Sequence, residues 1–464
     1  MLLSSTMPAQ GNGRFPQAQR LLEHPSDPNR LVLAATYGLL VTADRGHSWS
    51  YVCEPSFTHT TSYSGDPLID FTGNESLLVN VQGSLSLAVA DACDWTQTMG
   101  TEGEFIVDHS VSKSDPATII AGVVQANQDG VSNVLRISRD NGQTWSAIGN
   151  PLPLEVLYTV DVDPRDPEHL YATGLRDDEG QLLSSEDQGQ TWSAHRIANT
   201  DATEIPYLAG IDPLDSQHLY VRTDSSRSVG ETISGDALLY SSDGGRSFRE
   251  VFRIPNKLLG FALAPDGSRV LVGFGNPSLT SATTPDTVGV FKSSTEVFSF
   301  QQIYAGNVNC LTWTKTGVYV CADETRDGFE LGFSPDADFG RDRGCLLPLL
   351  HRTEVRGALT CGPGKSAAIC SADWPTDCAL LGACSAGGGA PSTECLPFTP
   401  ARFSSGGAGA TNSGGASAAT PRMPAEGGCD CQIATPATRN GRAPCLLLAL
   451  GIAGLSARRR RQAA

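Results

Sequence analysis

The chain has 464 residues, enough for one large domain or for two or three ordinary domains with a sizeable core. Charged residues make up only 18%, whereas 49 Gly and 28 Pro are present, which favours short strands and turns over long helices. The formal net charge of −17 would repel phosphate backbones and argues against a nucleic-acid partner.

The beginning of the chain and its cysteine content point in different directions. Residues 1–13 have neither the basic n-region nor the apolar h-region of a secretory signal. The 13 Cys, however, favour an oxidising compartment, and 10 of them precede the Gly-rich tail, an even number that permits full pairing. We therefore expect an exported protein whose signal peptide is missing or truncated in this sequence.

An eight-residue pattern recurs along residues 14–352. Successive copies are 41 to 56 residues apart, and seven copies predict seven repeats of one structural unit. The clear copies are TADRGHSW at 42–49, SRDNGQTW at 138–145, SEDQGQTW at 185–192 and SSDGGRSF at 241–248. Weaker copies are ADACDW at 90–95, SSTEVFSF at 293–300 and SPDADFG at 334–340.

A second element lies upstream of each octapeptide and repeats with it. DPRDPEHLYATG at 163–174 and DPLDSQHLYVRT at 212–223 are turns that lead into apolar, β-branched or aromatic runs. Another strand-like run, such as VLYTVDV at 156–162, precedes the turn. Each repeat therefore predicts four antiparallel strands, and the chain predicts an all-β, seven-bladed β-propeller over residues 14–352.

The octapeptide resembles the Asp-box, or BNR repeat, of sialidases, sortilin-like receptors and photosystem assembly factors of the Ycf48 type. Its Asp is suited to accept backbone N–H bonds across a turn, its Gly permits a positive φ, and its aromatic residue is suited to fill the space between blades. Catalytic carboxylates would not recur once per blade, so we interpret the pattern as structural. The residues in these roles are Thr42, Asp44, Gly46, Trp49, Ser138, Asp140, Gly142, Trp145, Ser185, Asp187, Gly189, Trp192, Ser241, Asp243, Gly245 and Phe248.

The cysteines predict two disulfides and a small cap. In CLTWTKTGVYVC, a turn at 314–317 places Cys310 opposite Cys321 on neighbouring strands, and this predicts a bridge between them. Cys53 and Cys93, one blade apart, are a second expected pair. Residues 353–398 are predicted to form a Cys-rich, disulfide-stapled cap, within which the pairing stays open.

The end of the chain is predicted to direct the protein to the cell surface. Residues 399–428 form a Gly/Ser/Ala/Pro linker, and 429–464 contain GCDC-type cysteines, an apolar run predicted to be an anchor helix, and four Arg. This order resembles the myxobacterial C-terminal sorting domain, MYXO-CTERM. The resemblance implies membrane insertion through this segment, processing near Cys429 or Cys431 by a sortase-like protease, and surface display.

Three functions stay open. We favour a non-catalytic binding module for glycan or protein ligands at the axial mouth; the alternatives are a secreted, sialidase-like glycoside hydrolase and an assembly or receptor role. FRIP at 252–255 matches a sialidase element but aligns with an outer strand, and the acidic runs DVD at 161–163 and RDDEG at 176–180 are interpreted as solvated turns. No catalytic residue, cofactor or metal site is predicted. A convergent Arg/Glu/Asp cluster at the channel mouth would favour hydrolysis, and a neutral or apolar mouth would favour binding.

Overall fold

The structure is a computed structural model that describes residues 17–384, except for 59–65, 82, 89–90, 101–103, 128–129, 227, 230–231, 277–286 and 340–345. The described residues belong to one compact unit, Met1–Phe403. The expected N-terminal segment 1–13, linker 399–428 and anchor segment 429–464, including Cys429 and Cys431, lie outside the described residues. In the part that the structure describes, no helix combines the length and apolar character needed to span a bilayer.

Seven antiparallel units of four strands follow one another along the described residues, which confirms the predicted seven-bladed propeller. The four strands of each blade pair in chain order and are here called A to D. In blade one they are Ala18–Glu23, Leu31–Ala35, Gly38–Thr42 and Trp49–Val52; in blade two, Leu68–Phe71, Leu77–Val81, Ser84–Ala88 and Trp95–Met99; in blade three, Glu104–Val111, Ile119–Asn127, Gly130–Ser138 and Ser146–Ile148; in blade four, Val156–Val162, Leu170–Arg176, Glu179–Ser185 and Ser193–Arg196.

The remaining three blades repeat this order. Blade five also carries a small hairpin of Ser228–Val229 and Thr232–Ile233 between its strands B and C. The strands are Glu204–Ile211, Leu219–Ser225, Ala237–Ser241 and Arg249–Arg253 in blade five; Lys257–Leu263, Arg269–Gly275, Gly289–Ser294 and Gln301–Tyr304 in blade six; and Cys310–Trp313, Val318–Cys321, Leu331–Ser334 and Leu347–Leu350 in blade seven.

The A strands form the inner wall of the ring. Each A strand contacts the A strand of the next blade, and strand A of blade seven contacts strand A of blade one. Strands B are buried on both sides, as in Leu31–Ala35 and Leu77–Val81, because a neighbouring blade covers each face. The D strands lie at the rim, where Ser193–Arg196 is largely exposed. The apolar core therefore lies between successive blades.

Each blade is built from one continuous stretch of chain, and the ring closes where blade seven meets blade one. After blade seven, Val355–Ala358 pairs in parallel with strand D of blade one as a fifth strand of that sheet. We call residues 351–384 the strap, which also contains the 3₁₀ turns Arg352–Glu354 and Ser366–Ile369 and the helix Cys370–Leu381. Two further short helices, Pro55–Thr58 and Glu324–Asp327, lie within the propeller.

The disulfides attach the strap to the ring. Cys53 bonds to Cys370 and Cys93 bonds to Cys361, so the expected Cys53–Cys93 pair is wrong. Cys53 and Cys93 lie one blade apart, and each bonds to a cysteine of the strap rather than to the other. A third disulfide, Cys378–Cys384, closes a short loop within the strap. In blade seven, Cys310 lies opposite Cys321 in the register and is bonded to it, with the Cα atoms 4.8 Å apart.

Candidate functional site

The four clear octapeptides have the same hydrogen-bond network at the turn between strands C and D. In the copy at 138–145, Ser138 Oγ donates to Asp140 Oδ1 at 2.8 Å and accepts from the Gly142 N–H at 2.8 Å. Asp140 Oδ1 also accepts from the Thr144 N–H at 2.9 Å, and Oδ2 accepts from the Thr144 hydroxyl at 2.6 Å. The same bonds recur in the copies that begin at Thr42, Ser185 and Ser241.

These bonds stabilise the ionised carboxylates and fix the turn. Hydrogen bonds from Thr144 lower the pKa of Asp140, and the equivalent bonds from Ser247 lower the pKa of Asp243 to about 2. The octapeptide Gly residues have positive φ, from 81° at Gly189 to 86° at Gly46. The preceding position is also left-handed, although three of its four occupants are not glycine, and the sequence reasoning missed this.

The octapeptide aromatics pack between neighbouring blades. Trp49 is buried, and its indole N–H donates to Leu349 O in blade seven at 3.2 Å. Trp145 donates to Thr98 of blade two at 3.3 Å, and Trp192 and Phe248 pack against the apolar clusters of their interfaces. The octapeptide carboxylates thus remain in separate turns, one per blade, and form no common site.

The A strands bring a different set of residues together on the ring axis. A cavity of about 510 Å³ is lined by the A strands of blades two to five, by Lys113 and Pro164 of the following turns, by Arg222 of strand B of blade five and by Arg20 of blade one. We call it the polar half of the channel. Its charged and aromatic lining consists of Arg20, Asp70, Asp108, His109, Lys113, Tyr158, Asp161, Tyr207 and Arg222.

Two of the three channel carboxylates have defined partners. Arg20 donates to both oxygens of Asp70, at 3.2 and 3.3 Å. Asp108 accepts from the His109 N–H at 2.9 Å and from the Val160 N–H of blade four at 3.0 Å. The innermost strand of a blade has an unpaired edge, so the carboxylate of Asp108 satisfies a backbone group that no further strand can reach.

Asp161 differs from the other two carboxylates. Its Oδ2 atom is inaccessible to solvent and has no hydrogen-bond partner among the described residues. Burial, followed by the charge of the nearby Asp108 carboxylate, raises the pKa of Asp161 to about 8, although Lys113 and Arg20 oppose the change. Burial also raises the pKa of Asp108 above that of a free carboxyl. Near neutral pH, Asp161 therefore retains its proton and can donate a hydrogen bond.

His109 is the second group in the channel with unused hydrogen-bonding capacity. The residue is buried, and among the described residues neither ring nitrogen has a hydrogen-bond partner, although Nε2 lies 3.5 Å from Asp70 Oδ2. Burial lowers the pKa of His109 to about 4, so the ring is neutral and offers one donor and one acceptor. In the part that the structure describes, no three His, Cys, Asp or Glu side chains are placed to hold a metal ion.

A second cavity lies on the other side of the channel. Its volume is about 460 Å³, and it adjoins the polar half, because Arg20, Lys113 and Ala209 line both. We call it the second half of the channel. Phe261 and Trp313 lie in its wall, together with Gln19 and Thr312. Aromatic side chains therefore line both halves of the channel.

The sequence reasoning missed the channel residues. Asp161 was assigned to a solvated turn, but it lies on strand A of blade four and lines the channel. A usable signal was present, since single acidic residues interrupt apolar runs in IDF at 69–71 and VDV at 160–162. Arg253 of FRIP ends the outer strand of blade five and pairs with Glu204 at 3.0 Å and Glu250 at 2.9 Å.

Comparison with known protein families identifies the repeat. The model of the BNR/Asp-box repeat matches residues 136–147, the third strand and octapeptide turn of blade three. The chain carries an Asp-box. No curated protein sequence matches it.

Solved structures with partial similarity include both enzymes and binding propellers. An ancestral GH74 enzyme is 14% identical, with a TM-score of 0.49 over 70% of this chain and 45% of that one, so the chain spans less than half its length. The GH74 xyloglucanase from Xanthomonas campestris is 15% identical, with a TM-score of 0.33 over 75% and 66% of the two chains. YCF48 bound to D1 peptide is 12% identical, with a TM-score of 0.39 over 59% and 79%. At these values the similarities carry no functional argument for the Asp-box chain.

Proposed function

We propose that this protein is an exported, surface-displayed binding module whose axial channel takes a glycan without cleaving it. The observation that carries the proposal is that the three channel carboxyl groups differ in their hydrogen-bond partners. Arg20 and two backbone N–H groups engage Asp70 and Asp108, whereas Asp161 keeps an unengaged oxygen. Hydrolysis of a glycosidic bond requires two carboxyl groups that both act on the substrate, but a binding site needs only one.

The aromatic lining suits a sugar ring, which has apolar faces and hydroxyl edges. Tyr158 and Tyr207 lie with ring centroids 5.4 Å apart, and the Arg222 guanidinium lies over the Tyr207 ring at 4.5 Å. Protonated Asp161, through its Oδ1 atom, and the exposed Lys113 would form hydrogen bonds with sugar hydroxyls, which both donate and accept. Phe261 and Trp313, in the second half of the channel, would contact the ring faces.

A glycoside hydrolase is the second candidate, because the channel contains the kind of Arg/Asp cluster that hydrolysis would use. Asp161, with its raised pKa, would be the acid, and Asp70, which pairs with Arg20, would be the other carboxyl group. This mechanism requires Asp70 to leave Arg20 or to act while paired to it. Turnover that depends on Asp161 would therefore replace the binding proposal.

The experiment uses the full chain, produced under oxidising conditions, on a glycan array and with a panel of fluorogenic glycosides. We expect binding of at least one glycan without turnover, and at least tenfold weaker binding in Tyr207→Ala, or about 1.4 kcal/mol. Asp266→Asn, which changes an exposed carboxylate in the A–B turn of blade six, is the matched control and should bind as the parent does. Turnover lost in Asp161→Asn would establish the hydrolase, and the absence of both binding and turnover would exclude both proposals.

Display at the surface is supported by the four disulfides of the described residues, which are typical of an oxidising compartment. We propose that the tail at 429–464 is processed near Cys429 or Cys431 and that the propeller stays on the cell surface. An epitope placed after residue 464 should be lost from the mature protein, while external protease should remove the propeller from intact cells. An epitope that persists, with the propeller protected from protease, would contradict this proposal.

A further inference from the structure

A separate cavity of about 330 Å³ lies between blades one and two, outside the axial channel. Val32, Val41 and Ser50 face it from neighbouring strands of blade one, where Val32 pairs with Val41 and Val41 with Ser50. Leu77 and Ala88 line it from the paired B and C strands of blade two. It is therefore built into the interface between two blades, whose sheets separate there.

The cavity occurs where the octapeptide of blade two departs from the repeat. Asp91 and Trp95 are four residues apart, whereas Asp44 and Trp49 are five apart, as are the equivalent pairs in the other clear copies. The Trp95 N–H donates to Ser366 of the strap at 2.7 Å, and its ring packs on Phe57 at 5.3 Å. Trp95 is thus held against the strap and the helix that follows blade one.

The strap supplies one wall of the cavity. Leu359 lines it and is held in place by its N–H, which donates to Tyr51 O at 2.7 Å. Cys361, two residues later, is bonded to Cys93 in the octapeptide turn of blade two. The cavity is consequently bounded by three segments distant in sequence, and covalent bonds hold them together.

Charged groups line part of the cavity, beside valine, leucine and alanine side chains and the hydroxyl groups of Thr42, Ser48 and Ser50. His24 is buried there, with Nε2 3.2 Å from the Arg30 guanidinium and 3.8 Å from Glu75 Oε2, and its ring packs edge-on against Phe71. Burial, followed by the charge of Arg30, lowers the pKa of His24, which keeps the ring neutral. Glu75 and Asp91 supply two carboxyl groups to the lining of the cavity against the one guanidinium of Arg30, so the formal charge of the lining is net negative.

We propose that this interblade cavity binds a small aromatic cation, with one or two rings against the valine and leucine walls and an ammonium group at Glu75 and Asp91. The size of the cavity matches a compact ligand rather than a polymer. The net negative lining and the net charge of −17 both favour a cation over a neutral or anionic molecule of the same shape. The site is independent of the axial channel and of the glycan proposal.

The test compares three probes that share a ring system and differ in charge: tryptamine, indole and indole-3-acetate. Ligand-observed NMR on the full chain should show saturation transfer to tryptamine, at least tenfold weaker binding of indole, and weaker binding still of indole-3-acetate. Val41→Phe, which fills the cavity from a half-buried position, should abolish tryptamine binding. Val297→Phe, the same change at a side chain that is 71% exposed, should leave it unchanged.

Glu75→Gln tests the charged lining without filling the cavity, and the exposure of this side chain makes the variant safe for folding. It should reduce tryptamine binding about tenfold while leaving indole binding as it was. The proposal is overturned if the full chain does not bind tryptamine, or if Val41→Phe folds with an unchanged melting temperature and still binds it. An unchanged preference for tryptamine over indole in Glu75→Gln would overturn the assignment of the ammonium site.

Discussion

The hydroxyl of Tyr37 donates a hydrogen bond to Glu330 Oε2 at 3.0 Å, across the junction where blade seven meets blade one. Arg352, at the start of the strap, lies 3.6 Å from the same oxygen. Glu330 is only 1% exposed, and burial raises its pKa to about 7. A buried carboxyl group with a neutral-range pKa therefore joins the two ends of the ring.

Replacing this carboxyl should change how stability depends on pH. The unfolded side chain loses its proton near its ordinary pKa of 4.5, whereas the folded protein keeps it until about 7. The unfolded state thus binds fewer protons between these values, and the free energy of unfolding falls as pH rises through this window. This decrease in the free energy of unfolding is roughly 3 kcal/mol at most. Glu330→Gln keeps an acceptor for the Tyr37 hydroxyl and should remove the decrease.

Melting temperatures of the parent and Glu330→Gln, measured from pH 4.5 to pH 8, test this prediction. The two curves should lie close together at the acid end, and the variant should be the more stable by several degrees at pH 8. Parallel curves over the whole range would show that Glu330 does not titrate in this window.

The disulfide between Cys53 and Cys370 should contribute more to stability than the one within the strap. It links residues 317 apart, whereas Cys378–Cys384 spans a separation of 6. With Cys93–Cys361 still bonded, Cys53–Cys370 closes a loop of about 50 residues. On the chain-entropy model, a longer loop restricts the unfolded chain more, which corresponds to about 4 kcal/mol against about 2 kcal/mol. Cys53→Ser/Cys370→Ser should therefore lower the denaturation midpoint more than the matched Cys378→Ser/Cys384→Ser variant, and equal losses would contradict the role of the strap in closing the ring.

An octapeptide carboxylate should stabilise the fold without affecting ligands. Asp140→Ala removes the acceptor for the Thr144 N–H, the Thr144 hydroxyl and the Ser138 hydroxyl, at a cost of about 1–2 kcal/mol. Asp336→Ala in the weak copy of blade seven is the control. Among the described residues, the Asp336 carboxylate accepts a hydrogen bond from the Asp338 N–H, whereas the Asp140 carboxylate accepts three. Urea denaturation should show the larger loss for Asp140→Ala, while any change in glycan binding would place Asp140 in a functional site instead.

Binding in the channel should depend on the proton of Asp161. As pH rises through about 8, the carboxyl loses its donor and becomes an anion, so affinity for a neutral glycan should fall. Asp161→Asn offers an amide donor at all pH values and should flatten this dependence between pH 6 and pH 9. Calorimetric titration of both proteins measures it, and the same pH dependence in Asp161→Asn would assign the effect to another group.

Much of the fold follows from local pattern. The Asp, Gly and aromatic positions of SRDNGQTW satisfy one another within eight residues, so their spacing was sufficient to predict the turn and the four-stranded repeat around it. The register of Cys310 opposite Cys321 depends on one hairpin. The channel was harder to predict, because Arg20, Asp70 and Asp161 come from three blades and meet only when the ring is closed.

Residues close together in the chain determine the structure of a single blade, because the hydrogen bonds of a turn and the alternation of side chains along a strand involve only a few neighbouring residues. Tertiary structure alone decided that Cys53 and Cys93 bond to the strap, 317 and 268 residues away, rather than to each other. It also decided that Asp161 lines the channel with one oxygen inaccessible to solvent, and that its pKa is raised. Both depend on which surfaces the closed ring brings into contact, and the one-dimensional order of residues does not encode that contact in any local pattern.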